Sequence, residues 1–465
     1  MKAADLTSTR MTASERRAAV WLAGVFSLRM LGLFMILPVF ALYAERLQGY
    51  TPALAGLAIG IYGFSQAILQ IPFGFLSDRY GRKRIIYLGL LIFALGSVVA
   101  ALADSIWGVI LGRALQGGGA VSAAALALAA DLTREEHRIK VMAFIGITIG
   151  LSFAISMVLG PVLNGWIGVP GIFWLTGVLA LVGMVVVRFR VPDPAVSRIH
   201  RDAEPVASQF GRVLGDGQLL RLDFGIFTLH LLLTATFVAA PLALRDAGLT
   251  SDQHWRVYLP ALVLSIVAMT PFVIIAGQQR WMKPIFLGAI LTLALTEFGL
   301  LTWCDDVLEI GGLLLVFFAA FNLLEATLPS LISRMAPPDA KGTAMGVYSS
   351  SQFLGAFTGG ALGGVLHGRF GLQGVFAFAA LGALSWLLVA WTMKNPHHLS
   401  NRLLNVGACD EAEARHLAVQ LTQIPGVTEA VVIAAEGIAY LKVDRHILDE
   451  AALRELTVAN AQASL

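Results

Sequence analysis

Five ionisable side chains stand inside long apolar runs of the sequence: Arg29, Arg113, His230, Glu297 and Glu325. Each costs at least about 2.5 kcal/mol in the middle of a bilayer, so such groups are kept for pairing or for transport. Glu325 is a candidate proton carrier, with Asn322 one turn before it on the same face; partnering an arginine is the competing use of that carboxylate. Glu297 is a second candidate. An unperturbed histidine titrates near neutral pH, which makes His230 a further candidate, although a lone histidine on an apolar helix also serves as a hydrogen-bonded packing residue. A different kind of constellation occupies residues 74–84, GFLSDRYGRKR, where five charges fall within residues 78–84. A rule that merely places cations on one side of a membrane explains Arg82, Lys83 and Arg84, but not Asp78 or the glycines at 74 and 81.

The elements that must hold these residues follow from composition. Of the 465 residues, 57% are hydrophobic and 14% charged, against roughly 25% charged in ordinary soluble domains. A polytopic membrane protein is implied. A helix needs about 20 apolar residues to cross the hydrocarbon core. Twelve such segments begin near residues 18, 52, 85, 107, 140, 171, 222, 256, 285, 310, 342 and 371. If the N-terminus is cytoplasmic, its tail and the even-numbered loops hold 21 of the 33 Lys and Arg residues, whereas the odd-numbered loops hold only Arg46, Arg245, Arg256 and Arg369. That bias places both termini in the cytoplasm, and the polar start reads as a retained tail instead of a cleaved signal. A polar linker at 196–218 separates residues 1–195 from 219–395, six spans each. Segments 143–165 and 344–364 resemble each other, and internal repeats of this kind mark transporter folds.

After residue 395 the composition becomes that of a small soluble domain. RLLNV reads as a strand, residues 410–423 as a helix with Leu417, Leu421 and Ile424 on one face, and VTEAVVIA and IAYLKVD as paired strands. The last of these turns Ala439, Leu441 and Val443 inward and Tyr440 and Lys442 outward. A closing helix completes the order βαββα, an open-faced sandwich. The order and the IPGVTEAVV turn resemble heavy-metal-associated domains, but Cys409 has no C-x-x-C partner, and nothing favours a site on His397, His398 and His416. With Cys304 the only other cysteine, no disulfide framework is available. Residues 394–465 carry six Lys and Arg against nine Asp and Glu. Such a domain suits docking on the basic cytoplasmic loops, in a salt-sensitive way, or dimerisation.

The spacing G-x-x-x-D-R-x-G-R-K, over Gly74, Asp78, Arg79, Gly81, Arg82 and Lys83, resembles the loop between spans two and three that marks the major facilitator superfamily. R-x-x-Q-G at Arg113 and Gln116 in span four resembles a second signature. The segment retaining Gly160, Pro161 and Gly165 in span five resembles the antiporter signature, departing from it at Ser156 and Asn164. The resemblance covers about residues 15–395. It implies an all-α membrane fold of twelve helices in two pseudo-symmetric six-helix bundles, with the tail as a YAM-type domain of ferredoxin-like form. It further implies that Arg29, Arg113 and Gln116 border a central cavity, that span ten with Glu325 borders it too, that span nine is peripheral, and that Gly160, Pro161 and Gly165 kink span five. Asp78 would meet the start of span eleven, near Lys341 and Gly342, in the outward-facing state, while Arg82 pairs with Asp78 and Asp131; this triad is the expected conformational switch. A carboxylate at a helix N-terminus gains about 0.3 to 1 kcal/mol from the helix dipole.

Three function classes follow. The first is a bacterial inner-membrane efflux antiporter of small organic compounds, driven by the proton gradient. The second is a nutrient symporter or facilitator, which the altered span-five glycines leave open. The third is a membrane sensor acting through the tail. No nucleophile, metal, cofactor or nucleotide motif supports an enzyme, and the expected partners are a small-molecule substrate, protons and lipid, with no nucleic acid.

Overall fold

The computed structural model describes residues 11–194, 205–276, 279–394, 399–407, 410–434, 437–444, 447–450 and 452–453. Ten helices among them are long and apolar enough to cross a membrane. Two of the ten are double. Glu135–Phe189 leaves helical geometry at Gly168, with φ of 67°, and Lys341–Trp391 does so at Gly371, with φ of 65°. A left-handed backbone is tolerated by glycine without penalty, so each long helix folds into two spans through one residue, and the total is twelve.

Span one is Ala13–Phe34, continued after a two-residue break as Leu37–Ala44. It starts before the apolar run because Thr12 and Glu15 cap each other's backbone amides, which lets the polar first turn be helical. Span two is Pro52–Tyr80 and span three Arg82–Ala101. Span four, Ile106–Gly118 and Ser122–Asp131, is broken at the glycine run. Spans five and six are the two arms of Glu135–Phe189. Spans seven to ten are Gly217–Asp246, Trp255–Ala276, Gln279–Thr302 and Val307–Met335. Spans eleven and twelve are the arms of Lys341–Trp391.

Leu22, Phe26, Phe93, Leu128 and Ile145 pack together inside the first bundle, and Leu232, Phe237, Phe317, Leu328 and Trp386 inside the second. Apolar side chains such as Val267, Ile274, Leu381 and Leu388 remain exposed on the outside, as contact with lipid requires. Between the bundles, residues 205–214 form a strap of one 3-10 turn, Ala207–Gln209, and a short helix, Phe210–Leu214. The strap lies on the first turns of span eleven. The Val206 amide donates to Thr343 Oγ1 at 2.8 Å, and Pro205 fills the space beside Gly346.

In the tail, β1 is Leu399–Asn405, β2 Val427–Ile433 and β3 Ile438–Asp444, with a helix Glu411–Thr422 between β1 and β2. The sheet order is β1-β3-β2, each pair antiparallel, a split βαβ arrangement as in ferredoxin-like folds. Leu417, Leu421 and Ile424 pack on Ala439, Leu441 and Val443. The other face of β3 is not open to solvent, contrary to what an open-faced sandwich suggests: Tyr440 is only 2% exposed. The strands of the sheet rest there on the end of span ten and the turn Pro338–Ala340. His397, His398, Cys409 and most of the expected closing helix lie outside the described residues, as does the first part of the linker.

Candidate functional site

Gly81 separates spans two and three with φ of 96°, a conformation that costs any other residue strain. That single reversal brings Arg82 back over the end of span two. The guanidinium is almost fully buried and donates to Asp78 and, at 2.9 Å, to Ser77 Oγ. Its Nε donates to Asp131 Oδ2 at 3.2 Å, and the Asp131 side chain is fully buried at the end of span four. One buried cation thus faces two carboxylates from different spans, an arrangement in which removing the cation leaves charge uncompensated. Gly74 allows close packing, since a Cβ there would lie 3.3 Å from Ala123. Lys83 goes elsewhere: its Nζ reaches the Val191 carbonyl at 2.7 Å and Asp193 at 2.8 Å beyond span six. Arg79 lies over the Tyr80 ring.

The buried cations of the first bundle are knitted into hydrogen bonds. Arg29 donates to Ser122 Oγ and Tyr62 Oη, each at 2.8 Å, and to Gln66. Arg113 stacks over the same Tyr62 ring, 5.0 Å from its centre, and donates to Gln116 at 3.0 Å. Gln116 turns its amide to Ser97 on span three at 2.8 Å and to Thr176 on span six at 3.4 Å. It therefore ties span four to spans three and six of its own bundle. In span five, Pro161 stands inside the helix, and Gly160 permits close approach to span one, its would-be Cβ lying 2.5 Å from the Met35 carbonyl.

In the second bundle His230, Glu325 and Gln352 meet, from spans seven, ten and eleven. Gln352 Nε2 stands 2.8 Å from His230 Nε2 and 3.4 Å from Glu325 Oε1, and the imidazole is 3.9 Å from the carboxylate. Glu325 lies in the middle of its span; its side chain is 37% exposed, while Oε2 itself is buried without a hydrogen-bond partner. Asn322 turns to Ser265 on span eight, at 3.2 Å. Glu297 stands apart from this cluster, wholly buried and accepting from Thr236 Oγ1 at 2.6 Å. Tyr348 on span eleven is buried, and its hydroxyl has no hydrogen-bond partner among the described residues. Asp223 in span seven is buried too, with no hydrogen-bond partner for either oxygen among the described residues. Among the described residues no group of three or more His, Cys, Asp or Glu is arranged to hold a metal ion.

The two bundles touch most closely along spans two and eleven. A Cβ on Gly56 would lie 2.2 Å from the Gly360 carbonyl oxygen, and one on Gly60 would lie 2.6 Å from that of Phe357. This seam lies toward the end opposite the Asp78 loop. The same end is tied by Arg245 to Glu45 at 2.7 and 2.8 Å and by Asn164 to Ser251 at 3.2 Å. Toward the loop end, Gln70 donates to Ser350 at 2.8 Å.

A twelve-span, two-bundle membrane fold with a signature loop at Gly81 defines a transporter class, and the family description Major Facilitator Superfamily matches residues 22–282 and 224–424. The chain belongs to the Major Facilitator Superfamily. It is 48% identical over 438 residues to the inner membrane transport protein YajR of Escherichia coli (strain K12), covering 94% of this chain and 96% of that one. It is also 26% identical to the multidrug resistance protein MdtH of Aeromonas salmonicida (strain A449), over 78% of this chain and 91% of that protein. Among solved structures, a bacterial homologue of the human lysosomal transporter Spinster, inward-facing and occupied, superposes with a TM-score of 0.69 at 12% identity, covering 83% of this chain and 98% of the other. The human organic anion transporter MFSD10 does so with 0.61 at 18% identity, covering 82% of this chain and all of the other. At such identities the likeness is one of fold.

Proposed function

We propose that this protein exports small organic compounds in exchange for protons by alternating access across the bacterial inner membrane, with both termini in the cytoplasm. The observation that carries the proton-coupled reading is Glu325, a carboxylate held mid-span with 37% of its side chain accessible and His230 and Gln352 beside it. A carboxylate in that position binds a proton from one side and releases it to the other when the gap between the bundles changes face. The relatives support a transporter of this kind: one is an inner membrane transport protein and another a multidrug resistance protein. In the same reading Arg82, Asp78 and Asp131 form the switch. With the loop end closed, Asp78 meets the first turn of span eleven and is held by its exposed amides; protonating either acid loosens Arg82 and opens that end.

Import by symport or facilitation is the second reading, favoured by Ser156 and Asn164. These replace signature glycines and make bonds of their own, to the Leu31 carbonyl and to Ser251. One experiment separates the two: proton release from acid-loaded everted vesicles on adding candidate compounds, with wild type and Glu325→Gln compared. Compound-driven proton release that disappears in the variant supports antiport. Flux that persists without a proton gradient refutes it.

A further inference from the structure

A set of polar contacts joins parts of the chain that sequence distance separates. Lys442, at the centre of β3, donates to the Met335 and Ala336 carbonyls at 3.1 and 3.3 Å, where span ten ends. The last carbonyls of a helix lack intrahelical partners, and a cation suits the negative end of its dipole. Arg212, on the strap, donates to Asp339 Oδ1 at 2.9 Å and to Glu429 Oε1 on β2 at 3.0 Å, so it links the span ten–eleven turn to the tail domain. Gln209 adds a bond to Asp339 at 3.2 Å. Asp339 is nearly buried, its side chain 6% exposed, so the bridge is anchored from below. The strap in turn sits on span eleven through Val206 and Thr343. The Glu429–Arg212 pair follows the acid-on-base docking that net charge suggests; beside it a lysine is seated on a helix end and Tyr440 is covered.

We propose that the inner face of the transporter, formed by the end of span ten, the Pro338–Ala340 turn and the strap, is a docking surface for the chain's own C-terminal domain, and that the docked domain clamps the strap on the first turns of span eleven. A clamped strap occupies the helix end that Asp78 needs, so the domain opposes closure of the loop end; this last step rests on the switch reading above. Undocking lets the strap leave and the switch engage.

The test is hydrogen exchange of the full-length protein in nanodiscs, read on peptides covering residues 206–214. Lys442→Met and Glu429→Lys speed exchange there about tenfold, the loss of roughly one charge-assisted hydrogen bond, while Lys442→Arg, which keeps a donor, stays near wild type. Peptides of β2 and β3 report whether the domain is still folded. Should Lys442→Met unfold it, Glu429→Lys, at a side chain 34% exposed, decides alone. Unchanged exchange at 206–214 with folded strands overturns the clamp. The gating consequence is read by spin labels on cysteines replacing Lys140 and Arg334, at the loop ends of spans five and ten, in a background lacking Cys304 and Cys409. The clamp variants enrich the shorter distance, and adding Asp78→Asn cancels that enrichment. If the clamp variants leave the distance in place while Asp78→Asn alone moves it, the switch stands and the clamp falls. If the clamp variants shorten it and Asp78→Asn cancels nothing, the clamp stands and the switch reading falls.

Discussion

The seam between spans two and eleven gives a prediction that turns on a single methyl group. In Gly56→Ala the new Cβ would lie 2.2 Å from the Gly360 carbonyl oxygen, 2.6 Å from Gly364 Cα and 2.7 Å from Gly364 N. All three are backbone atoms, so no rotamer change relieves the overlap. Restoring ordinary contact of about 3.5 Å requires the helices to part by about 1 Å, which also stretches the Glu45–Arg245 and Asn164–Ser251 ties at the same end. Overpacking of this kind costs about 1 to 3 kcal/mol, enough to shift a two-state equilibrium by about 5- to 150-fold toward the state open at that end. Double electron–electron resonance between labels on cysteines replacing Arg46 and Thr250, exposed across the closed end, would report a longer-distance population in Gly56→Ala. Gly24→Ala is the control, because a Cβ there meets nothing within 4 Å. A folded Gly56→Ala protein with the wild-type distance distribution would refute the idea that the glycine seam sets this closure.

Other outcomes follow from single residues. Gly81→Ala meets no atom within 4 Å but must hold φ near 96°, so only backbone strain of about 1 to 3 kcal/mol opposes it; thermal unfolding in detergent at wild-type midpoint would count against this account of the turn. Arg82→Gln leaves Asp131 buried beside a neutral amide and lowers stability by about 3 kcal/mol, whereas adding Asp131→Asn to it recovers part of that loss in the same melts. His254, in the turn before span eight, is fully buried with Nε2 3.2 Å from the Leu249 carbonyl, and burial pulls its pKa from 6.5 down to about 4. Because the fold holds the neutral ring, its stabilisation is whole above pH 6.5 and drains away as pH falls through about 4, reaching about 3 kcal/mol. His254→Gln should therefore lose less stability than wild type between pH 7 and pH 4, and an equal loss would contradict the assignment.

Residue patterns carried the architecture a long way. Runs of about 20 apolar residues with cations gathered in alternate loops are properties of neighbouring residues, so twelve spans could be read directly, and the two-residue alternation of β3 placed Ala439, Leu441 and Val443 inward. Helix starts were harder: Thr12 and Glu15 extend span one past its hydrophobic edge through a capping box, which hydropathy does not register. Contacts between distant helices left no periodic trace. Nothing near Asn164 points to Ser251, nothing near Glu45 to Arg245, and nothing in the strap to Thr343. The same holds for the second face of β3: alternation says that Tyr440 and Lys442 share a face, but not that span ten covers it.

The bends at Gly168 and Gly371 have a mechanical meaning. A connection of one residue has no slack, so spans five and six travel as a rigid pair, and so do spans eleven and twelve. Any sliding of span eleven along span two must drag span twelve with it. Span twelve presents Leu381, Leu384, Leu388 and Trp391 outward, 44 to 72% exposed, so the moving part is gripped by lipid tails. Each ångström of vertical travel then incurs hydrophobic mismatch, a fraction of a kcal/mol, and bilayer thickness becomes an input to the movement of the two bundles.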